Sequence, residues 1–466
     1  MSRAKDFAKN FSIYTIGVLG TRIITFMMVP LYTYFVDKPS DYGTWDICLQ
    51  FCIFLLPLST LQLREASFRF LLETDNQSTQ QKIVSFIYKT LFISLLSIVL
   101  IVFTASFLTD FRYLWHTFVL LLFASIHDVV CQISRGLKRN DIYVQCNLLN
   151  AFFVGLLSVI FVAFLQLSVE GIFLANILAR LMVIIFVEVR LHLLSSFFSF
   201  RIDTKEIGRQ ILFYSVPLIP STMCWLITTV SDRFFIRTFV SMNMNGVYAV
   251  AIRFTMILQT LALIFYQSWQ ESAIQQYHSD DRDMFFSKVF KIYVFALVGM
   301  LICYSFILKL NYEWLVGANY QQSKWFIYLS GVGFLFGALS SSFFELGYQC
   351  AKDTKRLLPA VVITVLINLG LNFVLTPLWG VWGVISTSIL SYLFLAIYRY
   401  YDTRRYFTLY FDKNVFFLLP VIIMGGILYS LNLGMSCDIC SFIVMLIIMF
   451  SFMPKEIKEY FYKKNR

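Results

Sequence analysis

Three arginines stand inside long apolar runs of the sequence, where a charged side chain is costly. Arg22 lies near the middle of the first run, Arg180 near the middle of the sixth, and Arg253 inside the eighth. A charge near the bilayer centre costs at least about 2.5–3.5 kcal/mol, so such a residue is expected to face water or an opposite charge. Because a guanidinium can bond two phosphate oxygens at once, these arginines predict a hydrated cationic site for an anionic ligand.

Small polar residues lie on the same predicted helix faces as these arginines. At about 100° per residue, Thr15 and Thr25 fall within roughly 60° of Arg22, and Asn176 stands one turn before Arg180. On the eighth run Thr260 and Gln267 follow Arg253 at intervals of seven residues, and the eleventh run adds Asn368 and Asn372 to this polar set. Their spacing predicts that these side chains line the same hydrated space as the arginines.

Arg64 and Arg69 lie at the cytoplasmic end of the second apolar run and are further candidates for contact with the ligand. They lie at a helix end, where the ordinary distribution of basic residues around a membrane also accounts for them. For every arginine, the alternative interpretation is an ion pair with a nearby carboxylate that only holds helices together. Glu170 and Glu188, for example, share a run with Arg180. The sequence leaves both interpretations open.

Three acidic residues lie toward the ends of apolar runs and are candidates for binding a coupling proton or sodium ion. They are Asp128, Glu271 and Glu345. Solvation at a helix end is the plainer explanation of each, because carboxylates are usually found in contact with water.

The composition identifies the elements that must position these residues. Of 466 residues, 59% are hydrophobic and 14% are charged, whereas a soluble domain is about 45–50% apolar and about 25% charged. Since about 20 apolar residues cross a bilayer, the sequence contains about fourteen candidate spans, and lipid requires each to be a helix. They lie near 11–36, 44–66, 83–107, 113–135, 143–167, 170–193, 210–235, 246–271, 286–309, 322–348, 356–377, 381–401, 413–432 and 438–453. We therefore expect an all-α polytopic membrane protein, and not a soluble enzyme, a disordered chain or a secreted disulfide scaffold.

The 38 lysines and arginines orient these spans. With both termini in the cytoplasm, 28 of them fall in cytoplasmic segments and six in outer loops, which is the asymmetry of an inserted membrane protein. The six outer residues are Lys38, Arg112, Arg233, Arg237, Lys309 and Lys324. The basic residues are expected to anchor the topology and to contact anionic lipid, not to bind nucleic acid.

Two weak echoes within the sequence predict an internal repeat. Gly43-Thr44-Trp45 resembles Gly246-Val247-Tyr248, and Val169-Glu170-Gly171 resembles Val381-Trp382-Gly383. The predicted domains are two parallel six-helix lobes, 1–200 and 201–405, and a last segment of two further transmembrane helices with a basic tail, 406–466.

The sequence carries no signature of catalysis. No loop is long enough for a folded domain outside the membrane, and neither a G-x-x-x-x-G-K-[ST] loop nor an H-E-x-x-H pair occurs. The four histidines and nine cysteines are scattered along the chain. We expect a protein that is not an enzyme and that uses no cofactor or metal.

A family resemblance rests on Asp232-Arg233-Phe234 followed by Gly246-x-Tyr248, on the turn at Gly43, and on two six-helix lobes with two trailing helices. In these features the chain resembles the multidrug/oligosaccharidyl-lipid/polysaccharide (MOP) exporter superfamily, and within it the Wzx-type flippases of the polysaccharide branch. The positions of Arg22 and Arg253 are similar to arginines of the first and eighth spans that serve the related lipid II flippases.

This resemblance implies a flippase for an undecaprenyl-diphosphate-linked oligosaccharide of O-antigen, capsule or related glycan assembly. It implies transfer across the bacterial inner membrane by alternating access through a cationic central cavity between the lobes, with a groove for the lipid tail at the last two helices. The implied partners are the lipid-linked anionic glycan, membrane lipids, and a glycan polymerase or other assembly protein. The chain is expected to work as a monomer.

Two other functions stay open at the level of sequence. A drug/cation antiporter of the same superfamily would offer acids to a cationic drug, and an arginine in mid-span argues against it. An integral-membrane glycan polymerase or ligase has similar hydropathy, but it usually carries a large outer loop with catalytic groups, and this sequence has no such loop.

Overall fold

Long apolar helices follow one another along the chain in a computed structural model that describes residues 21–194, 205–351, 353–410, 417–431 and 434–451. In these ranges the backbone forms helices and turns and no strand. Eleven of the described helices are long and apolar enough to cross a membrane, and two shorter apolar helices follow them. The prediction of an all-α polytopic membrane protein is confirmed.

The helices correspond in order to the predicted apolar runs. Helix α1 covers 21–35 of the described residues. The helices that follow are α2 Pro39–Ser59, α3 Leu63–Leu72, α4 Gln77–Ser106, α5 Leu114–Gly136, α6 Asn140–Ser158, α7 Ser168–Leu191, α8 Lys205–Ser215, α9 Leu218–Phe239, α10 Met242–Gln276, α11 Arg282–Leu315, α12 Lys324–Ala338, α13 Glu345–Cys350, α14 Leu357–Trp379, α15 Val381–Thr403, α16 Leu418–Ser430 and α17 Met435–Ser451. Two π-helical segments, Val159–Phe164 and Leu339–Phe344, continue α6 and α12.

The chain divides by its internal contacts into two compact units, Met1–Arg233 and Phe234–Arg466. The core of the first unit is formed by buried aliphatic side chains of α3 to α8. The core of the second unit is richer in aromatic residues and includes side chains of the last two helices, α16 and α17. The predicted lobes 1–200 and 201–405 divide the chain by sequence repeat, and they stay a prediction.

The second predicted span is interrupted. The sequence predicts one helix over 44–66, whereas α2 and α3 are separated by a turn in which Leu61 and Gln62 have φ of 49° and 53°. This left-handed conformation costs a residue with a β-carbon about 1–2 kcal/mol. Pro57, in the last turn of α2, has no N–H and leaves a preceding carbonyl without its helical donor. Irregular backbone at membrane depth is stable where it is buried in protein or borders water. Thr60 and Gln62, at the break, line a cavity.

Two glycines of the sequence echo allow equivalent close approaches within the two units. Gly171 and Gly383 each lie in the first turn of a helix, α7 and α15, that follows the preceding helix after a tight connection. A β-carbon at Gly171 would lie 3.0 Å from the carbonyl oxygen of Phe161, and one at Gly383 would lie 2.1 Å from that of Leu375. Steric constraint therefore explains why a glycine stands at the same place in the two similar segments, 169–171 and 381–383.

The substitution Gly383→Ala is expected to destabilise the second unit, because a backbone carbonyl stands where the new methyl group would lie. The melting temperature in detergent should fall by several degrees, as expected for a loss above about 1 kcal/mol in a tightly packed turn. The matched control is Gly370→Ala in α14, where a β-carbon meets nothing within 4 Å. Alanine is the better helix former, so the control should keep or slightly raise the melting temperature. Equal melting temperatures of the two variants would contradict this account.

A buried ion pair joins α11 to the last two helices. Lys309 Nζ donates to Asp438 Oδ1 at 2.7 Å and to the carbonyl of Leu431 at 2.8 Å. The rings of Tyr429 and Trp325 lie 5.5 and 5.9 Å from the same nitrogen, a distance at which an ammonium is attracted to an aromatic face. The prediction that Lys309 lies in an outer loop is wrong, because α11 continues beyond it.

Candidate functional site

A cavity of about 550 Å³ opens beside the break between α2 and α3, wholly within the first unit. We call it the broken-helix cavity. Its polar lining is provided by Thr60, Gln62, Arg64, Glu65, Asp128, Tyr214 and Thr222. The strained turn is fixed from across the cavity, because Gln62 Nε2 donates to Thr222 Oγ1 at 2.8 Å. A span that is interrupted next to charged side chains is the arrangement by which many transporters form a binding site.

Arg64 is held at this cavity by two carboxylates. Its Nη1 donates to Asp128 Oδ1 at 3.4 Å, and its Nε lies 3.2 Å from Glu65 Oε1 without the alignment of a hydrogen bond. The side chain of Arg64 is 41% exposed and that of Asp128 is 22% exposed. A guanidinium has five N–H donors, so the contact with Asp128 uses a small part of the capacity of Arg64. The structure thus brings together one predicted ligand-binding residue and one predicted ion-binding residue.

Arg69 lies on the same short helix, α3, with an exposed side chain. Its Nε is 3.3 Å from Glu73 Oε1, and its guanidinium carbon lies 4.6 Å from the ring centre of Tyr214. Since Tyr214 lines the broken-helix cavity, Arg69 is a second cation close to that space.

Arg180 is bound to its own helix and to neither acid of its run. Its Nη1 donates to the carbonyl of Asn176 at 2.8 Å and to Asn176 Oδ1 at 3.3 Å. Glu170 pairs with Arg112 at 2.9 Å, and Glu188 accepts hydrogen bonds from the backbone N–H of Leu194. The alternative in which Glu170 or Glu188 neutralises Arg180 therefore does not describe this structure.

Arg22 lies in the described part of α1 with an exposed side chain. Among the residues that the structure describes, no acid lies within ion-pairing distance of it. The hydroxyl of Thr25 donates to the carbonyl of Thr21 and is also exposed. Thr15 lies outside the described residues, so its predicted place on the same face stays a prediction.

Arg253 lies part-buried on the long helix α10, and Thr260, two turns further along, is buried and donates to the carbonyl of Met256. The side chains of Gln267 and Glu271 lie outside the described residues, although their helix is described. Of the polar residues predicted on this helix, the structure therefore places the side chain of Thr260, whereas the positions of Gln267 and Glu271 stay a prediction.

The asparagines of the eleventh predicted span form a buried polar ladder on α14. Asn372 Nδ2 donates to Asn368 Oδ1 at 3.2 Å, and Thr376 Oγ1 donates to Asn372 Oδ1 at 3.3 Å. All three side chains are nearly inaccessible. Buried amides and hydroxyls of this kind are stable when they bond one another, and the ladder gives the interior of the second unit a polar seam.

Glu345 is engaged by a residue that the sequence reasoning missed. Arg399 of α15 is 1% exposed, and its Nη1 lies 2.9 Å from Glu345 Oε2. The same nitrogen donates to the carbonyl of Ser340 at 3.1 Å. Ser340 belongs to a π-helical segment, in which wider winding displaces carbonyls from their usual partners. Arg399 thus stabilises both a carboxylate and an irregular turn.

A second missed contact is the buried pair of Asp46 and Arg233. Arg233 Nε lies 3.2 Å from Asp46 Oδ2, and the side chains are 4% and 2% exposed respectively. The Asp-Arg-Phe segment therefore holds α9 to α2 within the first unit. The two residues are 187 positions apart in the sequence.

One signal in the sequence could have found these contacts. An ionisable residue inside an apolar span requires a partner or water, and Arg399, Asp438 and Asp46 all lie inside predicted spans.

Comparisons with known proteins agree with this architecture. The sequence model of the family described as polysaccharide biosynthesis protein matches residues 7–270, more than half of the chain. Among curated proteins, none matches the sequence.

Among solved structures, the lipid II flippase MurJ in an inward closed conformation has a TM-score of 0.67 at 14% identity, covering 97% of this chain and 99% of that one. An inward-facing multidrug resistance MATE family transporter of the MOP superfamily has a TM-score of 0.64 at 15% identity, covering 87% and 96%. A MOP superfamily transporter from Pyrococcus furiosus, whose binding pocket is described as having reverse polarity, has a TM-score of 0.57 at 15% identity, covering 85% and 95%. At these identities the likeness establishes the fold.

Proposed function

Because this chain belongs to the polysaccharide biosynthesis protein family, we propose that it is a flippase for a lipid-linked anionic glycan. The ligand is an oligosaccharide joined to undecaprenyl by a diphosphate, of the kind used for O-antigen, capsule or a related glycan. Its head group cannot cross hydrocarbon unaided, since burying unpaired charges and hydroxyls is prohibitive. The protein replaces the hydration of the head group in a wet cationic path while the isoprenoid tail stays in lipid, and alternating access moves the head group from one leaflet to the other.

The observation that carries this proposal is that four arginines inside apolar helices, Arg22, Arg180, Arg233 and Arg399, fall into two classes. Arg233 and Arg399 are buried and each is neutralised by a carboxylate. In contrast, no acid lies within ion-pairing distance of Arg22 or of Arg180 among the described residues, and Arg180 donates its hydrogen bonds to Asn176. A charge kept inside an apolar helix without a carboxylate is expensive unless a ligand or water meets it. The second class is therefore suited to a phosphate group.

The location is the bacterial inner membrane with both termini in the cytoplasm, in line with the distribution of the 38 basic residues. The protein works as a monomer and passes its product to a glycan polymerase or another assembly protein. Asp128, Glu271 and Glu345 are the candidate sites for a coupling ion, and transport involves no catalytic step.

Deletion of the gene, followed by measurement of lipid-linked glycans in each leaflet, tests the proposal. The diphosphate-linked intermediate should accumulate in the cytoplasmic leaflet, and expression of the wild-type chain should restore its export. Normal export together with hypersensitivity to cationic drugs would instead indicate the antiporter. Intermediates that reach the outer leaflet but stay unpolymerised would indicate a polymerase.

A further inference from the structure

We propose that Asp128 is an internal counter-anion that occupies Arg64 in the ligand-free protein and yields it to a phosphate group. The broken-helix cavity is then a phosphate-binding site that its own carboxylate keeps closed until the ligand arrives. The inference rests on the proposed function, in which the phosphate belongs to a lipid-linked diphosphate.

The geometry of the Arg64–Asp128 pair separates it from the structural ion pairs of the chain. Its N–O distance is 3.4 Å with side chains 41% and 22% exposed. The carboxylate contacts of Arg233 and Arg399 are 3.2 and 2.9 Å long, with guanidinium groups 4% and 1% exposed. Partly exposed ion pairs contribute about 0–1 kcal/mol, so Arg64 can exchange its partner at little cost.

A phosphate is the better partner for the guanidinium in this space. Asp128 meets Arg64 through one oxygen, whereas a phosphate can accept two parallel hydrogen bonds from the planar fork. The cavity has room for such a group beside the hydroxyls of Thr60 and Thr222. The interrupted backbone at Leu61 and Gln62 holds the start of α3 at the cavity wall and fixes the position of Arg64.

The displaced carboxylate is not left without a counter-charge. Arg180 lies within electrostatic range of Asp128 and has its hydrogen bonds to Asn176 rather than to an acid. Glu65, the second carboxylate beside Arg64, is 47% exposed and stays hydrated when a phosphate enters. An exchange of partners at Arg64 therefore keeps every charged group of the cavity close to water or to an opposite charge.

A consequence of this arrangement is selection at the point of binding. A neutral glycan lipid cannot displace Asp128 from Arg64. A ligand with a single weak acceptor binds Arg64 with little more favourable free energy than the carboxylate that is already there. A diphosphate, which offers several oxygens in fork geometry, gains most. The internal carboxylate thus raises specificity by lowering the affinity for every ligand, which is a common means of discrimination.

Equilibrium binding to the purified full-length chain tests this inference. The probes are inorganic pyrophosphate, as the head group alone, and farnesyl diphosphate, as a lipid-linked diphosphate. Asp128→Asn removes the competing charge and should lower the dissociation constant for both probes about fivefold, the equivalent of about 1 kcal/mol. The matched control is Asp141→Asn, which releases the exposed Arg139 outside the cavity and should leave both dissociation constants unchanged.

The gain must also depend on Arg64. In the double variant Arg64→Gln/Asp128→Asn it should disappear, as a double-mutant cycle requires of a direct pair. An unchanged or weaker binding by well-folded Asp128→Asn, judged by its melting temperature and monodispersity, overturns the inference, as does a gain that persists without Arg64. A gain for pyrophosphate alone overturns the assignment to a lipid-linked ligand. Binding is measured without transport, so a failed glycan-export experiment would refute the proposed function and leave this result standing.

Discussion

Replacement of Arg22 by alanine is expected to lower export of the lipid-linked glycan about ten- to hundredfold while the amount of protein in the membrane stays the same. A hydrogen bond to a charged group contributes about 1.5–3 kcal/mol, and about 1.4 kcal/mol corresponds to a factor of ten. Arg22 lies exposed on α1, with no acid within ion-pairing distance among the described residues, so its removal leaves no structural charge unpaired. Arg253→Ala in α10 should have an effect of the same size.

The measurement is the amount of glycan that reaches the outer leaflet, normalised to protein level by immunoblot. Arg22→Lys should restore part of the export, because lysine keeps the charge and loses the two-pronged fork. Arg237→Ala is the matched control, since this exposed arginine lies at the end of α9 and outside the predicted cationic site. Full export by both Arg22→Ala and Arg253→Ala would refute the cationic path.

Replacement of Arg233 by alanine is expected to destabilise the first unit by about 3–5 kcal/mol, because Asp46 is left buried without its cation. The free energy of unfolding is measured by denaturant titration in detergent micelles. The matched control is Arg112→Ala, which breaks an exposed pair with Glu170 of side-chain exposure 75% and 42%. Such a pair contributes about 0–1 kcal/mol, so the two variants should differ clearly.

A double variant separates the desolvated charge from the loss of packing. Asp46→Leu/Arg233→Met removes both charges and keeps most of the volume, so it should be more stable than Arg233→Met alone. If Arg233→Ala is as stable as Arg112→Ala, the ion pair of Arg233 and Asp46 does not hold α9 to α2. A double variant that is less stable than the wild-type protein would indicate that the charged pair contributes net stability.

The helices were predictable from the sequence because lipid leaves the backbone few alternatives. A run of about 20 apolar residues in hydrocarbon must satisfy its own hydrogen bonds, and this requirement predicts the bounds of α14 and α15 to within two residues. The break after α2 was not predictable. Leu61 and Gln62 adopt a left-handed conformation without a glycine to announce it, and the contact that fixes them comes from Thr222, 160 residues away.

The candidate site was predictable in its residue types and less so in their pairing. Arg22 and Arg180 could be identified as candidates because a charged side chain in the middle of a span is costly in lipid. The partners of Asp128 and Glu345 lie 64 and 54 residues away, a separation at which helical periodicity carries no information. Spacing along one helix shows which face a charge shares, but the neighbour that meets it depends on how helices pack.

The buried contact between Lys309 and Asp438 also constrains how the protein is made. Asp438 is synthesised 129 residues after Lys309, and at about 5–20 residues per second this delay is on the order of ten seconds. During that interval the carboxylate that pairs with Lys309 does not yet exist. A shortened chain that ends before Asp438 would lack the acid that neutralises this buried lysine, so the last helix stabilises one that is synthesised well before it.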